Sequence, residues 1–178
     1  MEDTMKRLTK KALNSSSLAV IIIIAFLAGC QQRQPDASQK LKPLADKYVE
    51  AWNTGNLDGL DAIFDPRFVR RANLLPDVQG ADGLKKVMSG FRTAYPDLKI
   101  VLTDEVYSGN EAAARWTFTG TNTGSGEMPP TGKSVKIWGL SILRFANGKI
   151  TEEIVAYDNQ SFMEQLGYTM TPPATPKK

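Results

Sequence analysis

The chain has 178 residues, 42% of them hydrophobic and 23% charged, which fits one globular domain with short flanking segments. Its 22 basic and 19 acidic residues leave a formal net charge of +3, so we expect no nucleic-acid partner. It contains no histidine, which excludes Ser-His-Asp and Cys-His catalysis and the commonest zinc ligand, so we expect no metal site. It contains one cysteine, which excludes an internal disulfide.

Residues 1–29 have the pattern of a bacterial signal peptide. A basic segment precedes the apolar run LAVIIIIAFL, which is shorter than the roughly 20 apolar residues of a membrane-spanning helix. The last leucine of this run begins the sequence LAGC, which resembles the lipobox of bacterial lipoproteins. We expect acylated Cys30 to anchor the chain in a lipid bilayer of the bacterial cell envelope, on the periplasmic or outer-membrane side in a Gram-negative cell. Residues 30–40 would be the lipidated cysteine and a polar tether; the alternative is an uncleaved signal anchor with an incidental cysteine.

Three helices are predicted after the tether. The first has apolar residues at spacings of three and four, the period of a helix with one buried face, at Leu41, Leu44, Tyr48 and Trp52. A short second helix runs from an Asn56 cap to Phe64 and stops at Asp65-Pro66. The third is capped by Asp82 and ends before Tyr95-Pro96, because the residue preceding a proline disfavours helical backbone.

The period of the pattern changes to two after the third helix, which indicates strands. Residues 67–70 are predicted to be only a brief extended segment. Four longer antiparallel strands are predicted at 98–103, at 112–119 and in a hairpin over 135–158. The hairpin turns at Asn147-Gly148, a pair that accepts positive φ at both positions. Helices covering one face of a curved sheet make an α+β domain, which we place at 41–168, followed by a Pro-rich, disordered tail at 169–178.

Strict alternation from the hairpin turn predicts which residues share a face. One face would pair Phe145 with Ile150 and Leu143 with Glu152. That face also carries small side chains, which leave space when they face helices, so we predict a pocket there. With one residue of the first helix, its lining would be Trp52, Ile137, Gly139, Ser141, Ile154 and Ala156. The opposite face would be bulky, with Trp138 paired with Tyr157.

Two carboxylates are candidates for chemistry in this pocket. Asp158 would lie near one end of it and Glu152 nearer the turn. A carboxylate in an apolar cavity is poorly solvated as an anion, which suits a general acid or base. The alternatives are that Asp158 caps the helix that follows it, and that Glu152 forms a salt bridge with Arg115 or Arg144.

A set of motifs recurs along 41–167 in an order and spacing that match a known family. The motifs are Ala51-Trp52-Asn53, Tyr95-Pro96-Asp97-Leu98, Arg115-Trp116, Gly120-Thr121-x-Thr123-Gly124, Pro129-Pro130-Thr131-Gly132-Lys133, Phe145-x-x-Gly148-Lys149-Ile150-x-Glu152, Asp158 and Gln165-Leu166-Gly167. With these motifs the chain resembles the SnoaL-like polyketide cyclase (ester cyclase) family of the NTF2-like superfamily.

The resemblance implies a cone-shaped α+β barrel with three N-terminal helices packed on a curved antiparallel sheet. It also implies a homodimer through the outer sheet face, where the Trp138/Tyr157 side would meet its partner. By position, Asp158 would be the general acid/base of an intramolecular aldol ring closure that needs no metal or cofactor. Asn122 stands where family members often have histidine, and Ile154 stands where many have tryptophan.

Two functions remain open at this point. The first is a cofactor-independent enzyme of the aldol-cyclisation or isomerisation class that uses Asp158, helped by Glu152, on a small apolar substrate. The second is a non-catalytic NTF2-like module that binds an apolar ligand or a partner at the envelope.

Overall fold

A computed structural model describes residues 36–73, 75–169 and 171. The predicted signal peptide, Cys30 and most of the tether lie outside the described residues, as does most of the predicted tail. Within the described ranges, no helix combines the length and the apolar character that a membrane crossing requires.

The described helices are α1 (Ala37–Thr54), α2 (Leu60–Ile63), α3 (Gly80–Ala94) and α4 (Asn159–Gln165). Leu41, Tyr48 and Trp52 of the apolar stripe predicted for α1 are buried, together with Ala45 and Ala51, whereas Leu44 is only partly buried. The helix begins before the predicted Leu41, so Pro43 lies inside it. Because proline has no N–H, the helical bond to the carbonyl of Gln39 cannot form.

The described strands are β1 (Phe64–Ala72), β2 (Val78–Gln79), β3 (Lys99–Ser108), β4 (Glu111–Thr121), β5 (Ser134–Ala146) and β6 (Lys149–Tyr157). They form one sheet in the order β2-β1-β6-β5-β4-β3, in which β1 and β6 are parallel and the other neighbours antiparallel. The sheet is curved but unclosed, and the N-terminal helix packs on it. The α+β fold class is confirmed, but the segment predicted as brief at 67–70 is the full strand β1.

Hydrogen bonds of polar side chains hold the C-terminal end of α1 against the sheet. The side-chain amide of Asn53 pairs with the backbone of Ile100 on β3, donating to its carbonyl at 2.8 Å and accepting from its N–H at 2.6 Å. Arg92 of α3 donates to the carbonyls of Trp52 and Asn53 at 3.2 and 2.9 Å. These bonds satisfy orphan carbonyls of the helix end and fix its position over the inner sheet face.

The β5–β6 hairpin turns as predicted but then departs from strict alternation. Asn147 and Gly148 have φ of 52° and 73°, and Phe145 pairs with Ile150. The register then shifts, so that Arg144 pairs with Glu152 and Thr151 is an extra residue on β6. Such a bulge places two residues of one strand opposite one residue of its neighbour.

A one-residue shift reverses the face of every later side chain on β6. Leu143 therefore pairs with Glu153 rather than Glu152, and Gly139 pairs with Tyr157 rather than Ala156. The predicted pairing beyond the turn was wrong for this reason. Glu153, Val155 and Tyr157 lie on the inner face, which the helices cover, and Glu152, Ile154 and Ala156 lie on the outer face.

Candidate functional site

A cavity of about 100 Å³ lies between α1 and the inner face of the sheet. Its walls are mostly apolar and come from α1, α3, α4 and five of the strands. Small side chains at Ala45 on α1 and at Ala112 and Ala114 on β4 leave the space. Phe162 of α4 also lies on the wall. A largely apolar cavity of this kind accommodates a small molecule with an apolar body.

One group of polar side chains enters this cavity, and we call it the Glu153 cluster. It consists of Glu153, Arg70, Tyr48, Ser141 and Trp116. Glu153 is 4% exposed. Its Oε2 accepts from the Tyr48 hydroxyl at 2.7 Å and from Arg70 Nε at 3.1 Å. Its Oε1 accepts from Ser141 Oγ at 3.0 Å, and Ser141 accepts from Trp116 Nε1 at 3.0 Å.

Burial and charge set the protonation states around Glu153. Burial raises the pKa of Tyr48 well above its ordinary value, and the negative charge of Glu153 raises it further. Burial acts to lower the pKa of Arg70, but Glu153, Tyr48 and Tyr157 together outweigh it and the pKa is raised. The phenol therefore stays protonated and the guanidinium stays charged, and every partner of Glu153 is a donor suited to an ionised carboxylate.

Trp116 can join the cluster because its neighbour across the strands is glycine. Trp116 on β4 pairs with Gly139 on β5, and a Cβ built on Gly139 would lie 2.3 Å from the indole ring. The indole occupies that space and reaches Ser141 on the same strand as Gly139. Gly139 thus gives room to a neighbouring side chain, not to a ligand.

The structure places half of the predicted pocket residues on the cavity wall. Trp52, Ile137 and Ser141 line the cavity. Gly139 is on the same face beneath Trp116. Ile154 and Ala156 lie on the outer face, because the bulge reversed this part of β6.

The two predicted catalytic carboxylates both lie away from the cavity wall. Asp158 is exposed at the N-cap of α4, where its Oδ1 accepts from the N–H of Ser161 at 2.9 Å. This is the capping role that the sequence left open as the alternative. Glu152 forms ion pairs with Arg71 and Arg144, of which Arg144 was one of the two predicted partners. These partners account for both carboxylates without a ligand.

Sequence reasoning missed Glu153, Arg70 and Tyr48 as site residues. One signal was present in β6, where the buried apolar residues Ile150 and Val155 are an odd number of residues apart. Strict alternation cannot bury both, so their spacing requires a bulge between them. Arg70 had no comparable signal, because β1 was not recognised as a strand.

The outer sheet face carries an exposed apolar patch, which we call the outer patch. It consists of Val101, Val106, Trp138, Leu140 and Ile142, which are 39–65% exposed. Arg115 lies over the Trp138 ring, with its guanidinium carbon 5.3 Å from the ring centroid. Tyr157, predicted to share this face with Trp138, is instead on the cavity wall.

No group of three or more acidic, cysteine or histidine side chains in the described part of the chain is arranged to hold a metal ion. Glu153 and its donors lie on the cavity wall, where they can exchange protons and hydrogen bonds with a ligand.

Comparison with solved structures defines the class of protein to which this fold belongs. A protein with a ketosteroid isomerase-like fold from Catenulispora acidiphila DSM 44928, solved with trimethylamine, aligns with a TM-score of 0.62 at 15% identity, over 72% of this chain and 97% of that one. A proposed SnoaL-like polyketide cyclase from Jannaschia sp. CCS1 aligns with a TM-score of 0.69 at 20% identity, over 79% and 99%. The chain therefore has the NTF2/ketosteroid isomerase-like fold.

The family follows from the sequence itself. Residues 42–166 match the SnoaL-like polyketide cyclase family, and the chain belongs to that family. AclR, a proposed hydroxylase from Streptomyces galilaeus, is 28% identical with a TM-score of 0.65, over 78% of this chain and 91% of that one. A search of the curated proteins found no significant match.

Proposed function

We propose that the cavity binds a small, largely apolar molecule and that Glu153 acts on it as a general acid/base, in a cofactor-independent reaction of the aldol-cyclisation or isomerisation class. The observation that carries this proposal is a carboxylate, 4% exposed, on the wall of an apolar cavity. Both reaction types need one group that removes a proton next to a carbonyl and returns it elsewhere.

The surroundings of Glu153 support the first half of that reaction. Tyr48, Arg70 and Ser141 all donate to it, an arrangement that suits the ionised form in which a carboxylate acts as a base. Arg70 uses Nε for this bond, and its side chain also lies within hydrogen-bonding reach of Tyr48. A guanidinium so placed can donate to the oxygen on which negative charge develops. We assign no role in the reaction to Asp158, because its carboxylate caps α4 outside the cavity.

Exchange of carbonyl-adjacent protons tests the proposal without knowledge of the natural substrate. The probe is α-tetralone, an apolar bicyclic ketone, incubated with the purified domain in D₂O and followed by NMR. We expect Glu153→Gln to lower the catalysed exchange by roughly 10²–10⁴-fold, the usual contribution of a general base. Glu152→Gln is the matched control, since it changes the adjacent residue on the outer face and should keep the rate within about twofold.

The second candidate is a binding protein without turnover, and one observation favours it. Three donors already hold Glu153, so the cluster can serve as a structural ion pair that also orients a ligand. The two candidates differ in one measurement. An enzyme loses proton exchange in Glu153→Gln while it still binds 8-anilinonaphthalene-1-sulfonate, whereas a carrier shows no exchange in any form. Mass spectrometry of the small molecule that co-purifies with the domain would identify the cargo or substrate.

We also propose that the protein is a lipoprotein of the bacterial cell envelope. The support is the basic segment, apolar run and lipobox-like LAGC in sequence. Cys30→Ser should release the protein from the membrane fraction and abolish labelling with a palmitate analogue. Membrane retention of the unlabelled variant would contradict the anchor.

We propose further that two copies associate through the outer patch. Exposed apolar patches of this kind mark protein–protein contacts in soluble proteins. Leu140 lies near the centre of the patch, between Trp138 and Ile142 on alternating positions of β5. Leu140→Glu should convert the dimer to a monomer in light scattering, and Ser134→Glu on the same strand should not. A wild-type monomer at high concentration would refute this proposal.

A further inference from the structure

Trp116 and Ser141 form a directed chain of hydrogen bonds that ends on one oxygen of Glu153. An indole N–H can only donate, so Ser141 Oγ is the acceptor of the 3.0 Å bond from Trp116. The hydroxyl proton of Ser141 is then available for Glu153 Oε1, also at 3.0 Å. An ionised carboxylate has no proton to give. Both bonds therefore run in one direction, toward Glu153.

The two carboxylate oxygens of Glu153 are held unequally. Oε2 accepts two bonds, from Tyr48 and Arg70. Among residues that the structure describes, Ser141 alone donates to Oε1. Each carboxylate oxygen has about two lone-pair sites. Oε2 is thus fully used by the protein, and Oε1 keeps one site for a ligand.

We propose that Glu153 Oε1 is the proton-accepting atom of the cavity and that Ser141 and Trp116 are positioning residues that orient it. This inference rests on the proposed function and specifies its reacting atom. The arrangement requires glycine at position 139, because a Cβ there would clash with the Trp116 indole and displace it from Ser141.

The proton transfer at Oε1 balances without a co-reactant. The C–H bond next to the ligand carbonyl breaks and its proton bonds to Oε1. The electron pair of that bond forms a C=C bond, and the carbonyl π pair moves to the carbonyl oxygen. In an isomerisation the proton returns from Oε1 to a different carbon. In a ring closure the enolate carbon attacks a second carbonyl, whose oxygen receives the proton.

The first part of the test reads the hydrogen-bond chain and does not depend on turnover. The domain has three tryptophans, Trp52, Trp116 and Trp138, whose indole N–H signals are resolved in a ¹⁵N–¹H spectrum. Trp116→Phe identifies its signal by removing it. We expect Ser141→Ala to shift the Trp116 signal and Ser134→Ala, the same change on the same strand, to leave it in place. If the Trp116 signal does not shift in Ser141→Ala, the proposed chain of hydrogen bonds is refuted.

A second spectral variant tests the direction of the chain. In Glu153→Gln the carboxamide N–H₂ turns toward Ser141, because Tyr48 and Arg70 are donors and require the amide oxygen. Ser141 then receives donors from two sides, and the Trp116 signal should shift although its own partner is unchanged. A Trp116 signal identical to wild type would contradict a chain that ends on Glu153.

The second part of the test measures proton exchange into α-tetralone. Ser141→Ala and Trp116→Phe should lower kcat about tenfold, as expected for loss of one bond to a charged group, with KM within about twofold. Ser141→Thr keeps the hydroxyl and should restore kcat, and Trp138→Phe is the tryptophan control. Spectral shifts without any loss of kcat would refute the positioning role. If the Trp116 signal shifts as expected but the wild-type domain shows no proton exchange, the proposed function and the assignment of Oε1 are refuted. The chain of hydrogen bonds from Trp116 to Glu153 would still be supported.

Discussion

Arg70→Met tests whether the ion pair with Glu153 is a buried one. The side chains of Arg70 and Glu153 are 11% and 6% exposed, and Arg70 Nε lies 3.1 Å from Oε2. Methionine fills a similar volume but leaves the carboxylate without its countercharge in an apolar cavity. Removing one partner of a buried pair costs about 3–5 kcal/mol, because the remaining charge is desolvated and uncompensated. That is a large part of the roughly 5–15 kcal/mol that stabilises a typical domain.

Urea unfolding followed by circular dichroism measures this loss, with Arg144→Met as the matched control. Arg144 also pairs with glutamates, Glu111 and Glu152, but its side chain is 47% exposed. The control should therefore cost only about 0–1 kcal/mol.

The double variant Arg70→Met/Glu153→Leu separates the buried charge from the volume of the side chains. With both charges removed, most of the stability should return, since apolar replacements of a buried pair are often neutral or better. An Arg70→Met penalty as small as that of Arg144→Met would refute the reasoning. It would mean that water reaches Glu153 and that the cavity is not the dry site on which the proposed base depends.

Three further changes test features around the cavity. Asp158→Ala should cost about 1 kcal/mol by loss of the cap on Ser161, and 8-anilinonaphthalene-1-sulfonate should bind with unchanged affinity; a tenfold weaker affinity would return Asp158 to the site. Tyr95→Phe should raise stability by about 1 kcal/mol, because the buried hydroxyl has no hydrogen-bond partner among the described residues. Burial raises the pKa of Tyr95 from 10.0 to about 12. Wild type should therefore lose stability as pH rises from 10 through 12, and Tyr95→Phe should lose less. Urea unfolding at each pH measures both losses. Asn122→Ala should cost about 1–3 kcal/mol in urea unfolding, since its buried amide accepts from the N–H of Thr131 at 2.8 Å; a cost near zero would mean that the loop does not need this bond.

The existence of the helices and of the hairpin turn was predictable because their signals are local, but the predicted caps were wrong: α2 is preceded by Gly59 rather than Asn56, and α3 by Gln79 rather than Asp82. The apolar period of α1 and the Asn147-Gly148 turn follow from backbone geometry and side-chain spacing over a few residues. Strand β1 was not predictable in the same way. Its buried residues Phe64, Phe68 and Ala72 are separated by prolyl and charged residues, and its place beside β6 depends on a parallel pairing across the sheet.

The candidate site depended on a feature that a local pattern does not fix. The prediction of a pocket on one hairpin face rested on small residues, but the space comes from Ala112 and Ala114 on the neighbouring strand. Glu152 and Glu153 are adjacent and identical in type, so only the register decides which one enters the cavity. That register depends on one extra residue in β6.

Deletion of Thr151 tests the bulge directly. Thr151 is the residue without a partner on β5, and its hydroxyl donates to the carbonyl of Arg144 at 3.2 Å. Without it, simple alternation from Ile150 places Glu152 outward and Glu153 inward, as they are now. We therefore expect the deletion to cost less than about 2 kcal/mol, near the value of one hydrogen bond, and to keep the indole signal of Trp116.

Deletion of Ile154 is the contrasting change on the same strand. It leaves Glu153 inward but turns Val155 and Tyr157 to the outer face, which removes two apolar side chains from the core. Each is worth about 1.5–3 kcal/mol when buried, so this variant should be far less stable than the Thr151 deletion in urea. Equal losses in the two variants would mean that the bulge is itself required for folding. A small loss of stability in the Thr151 deletion alone would show that folding requires the inner side chains of β6 to face the core. It would also show that the number of residues before them does not matter.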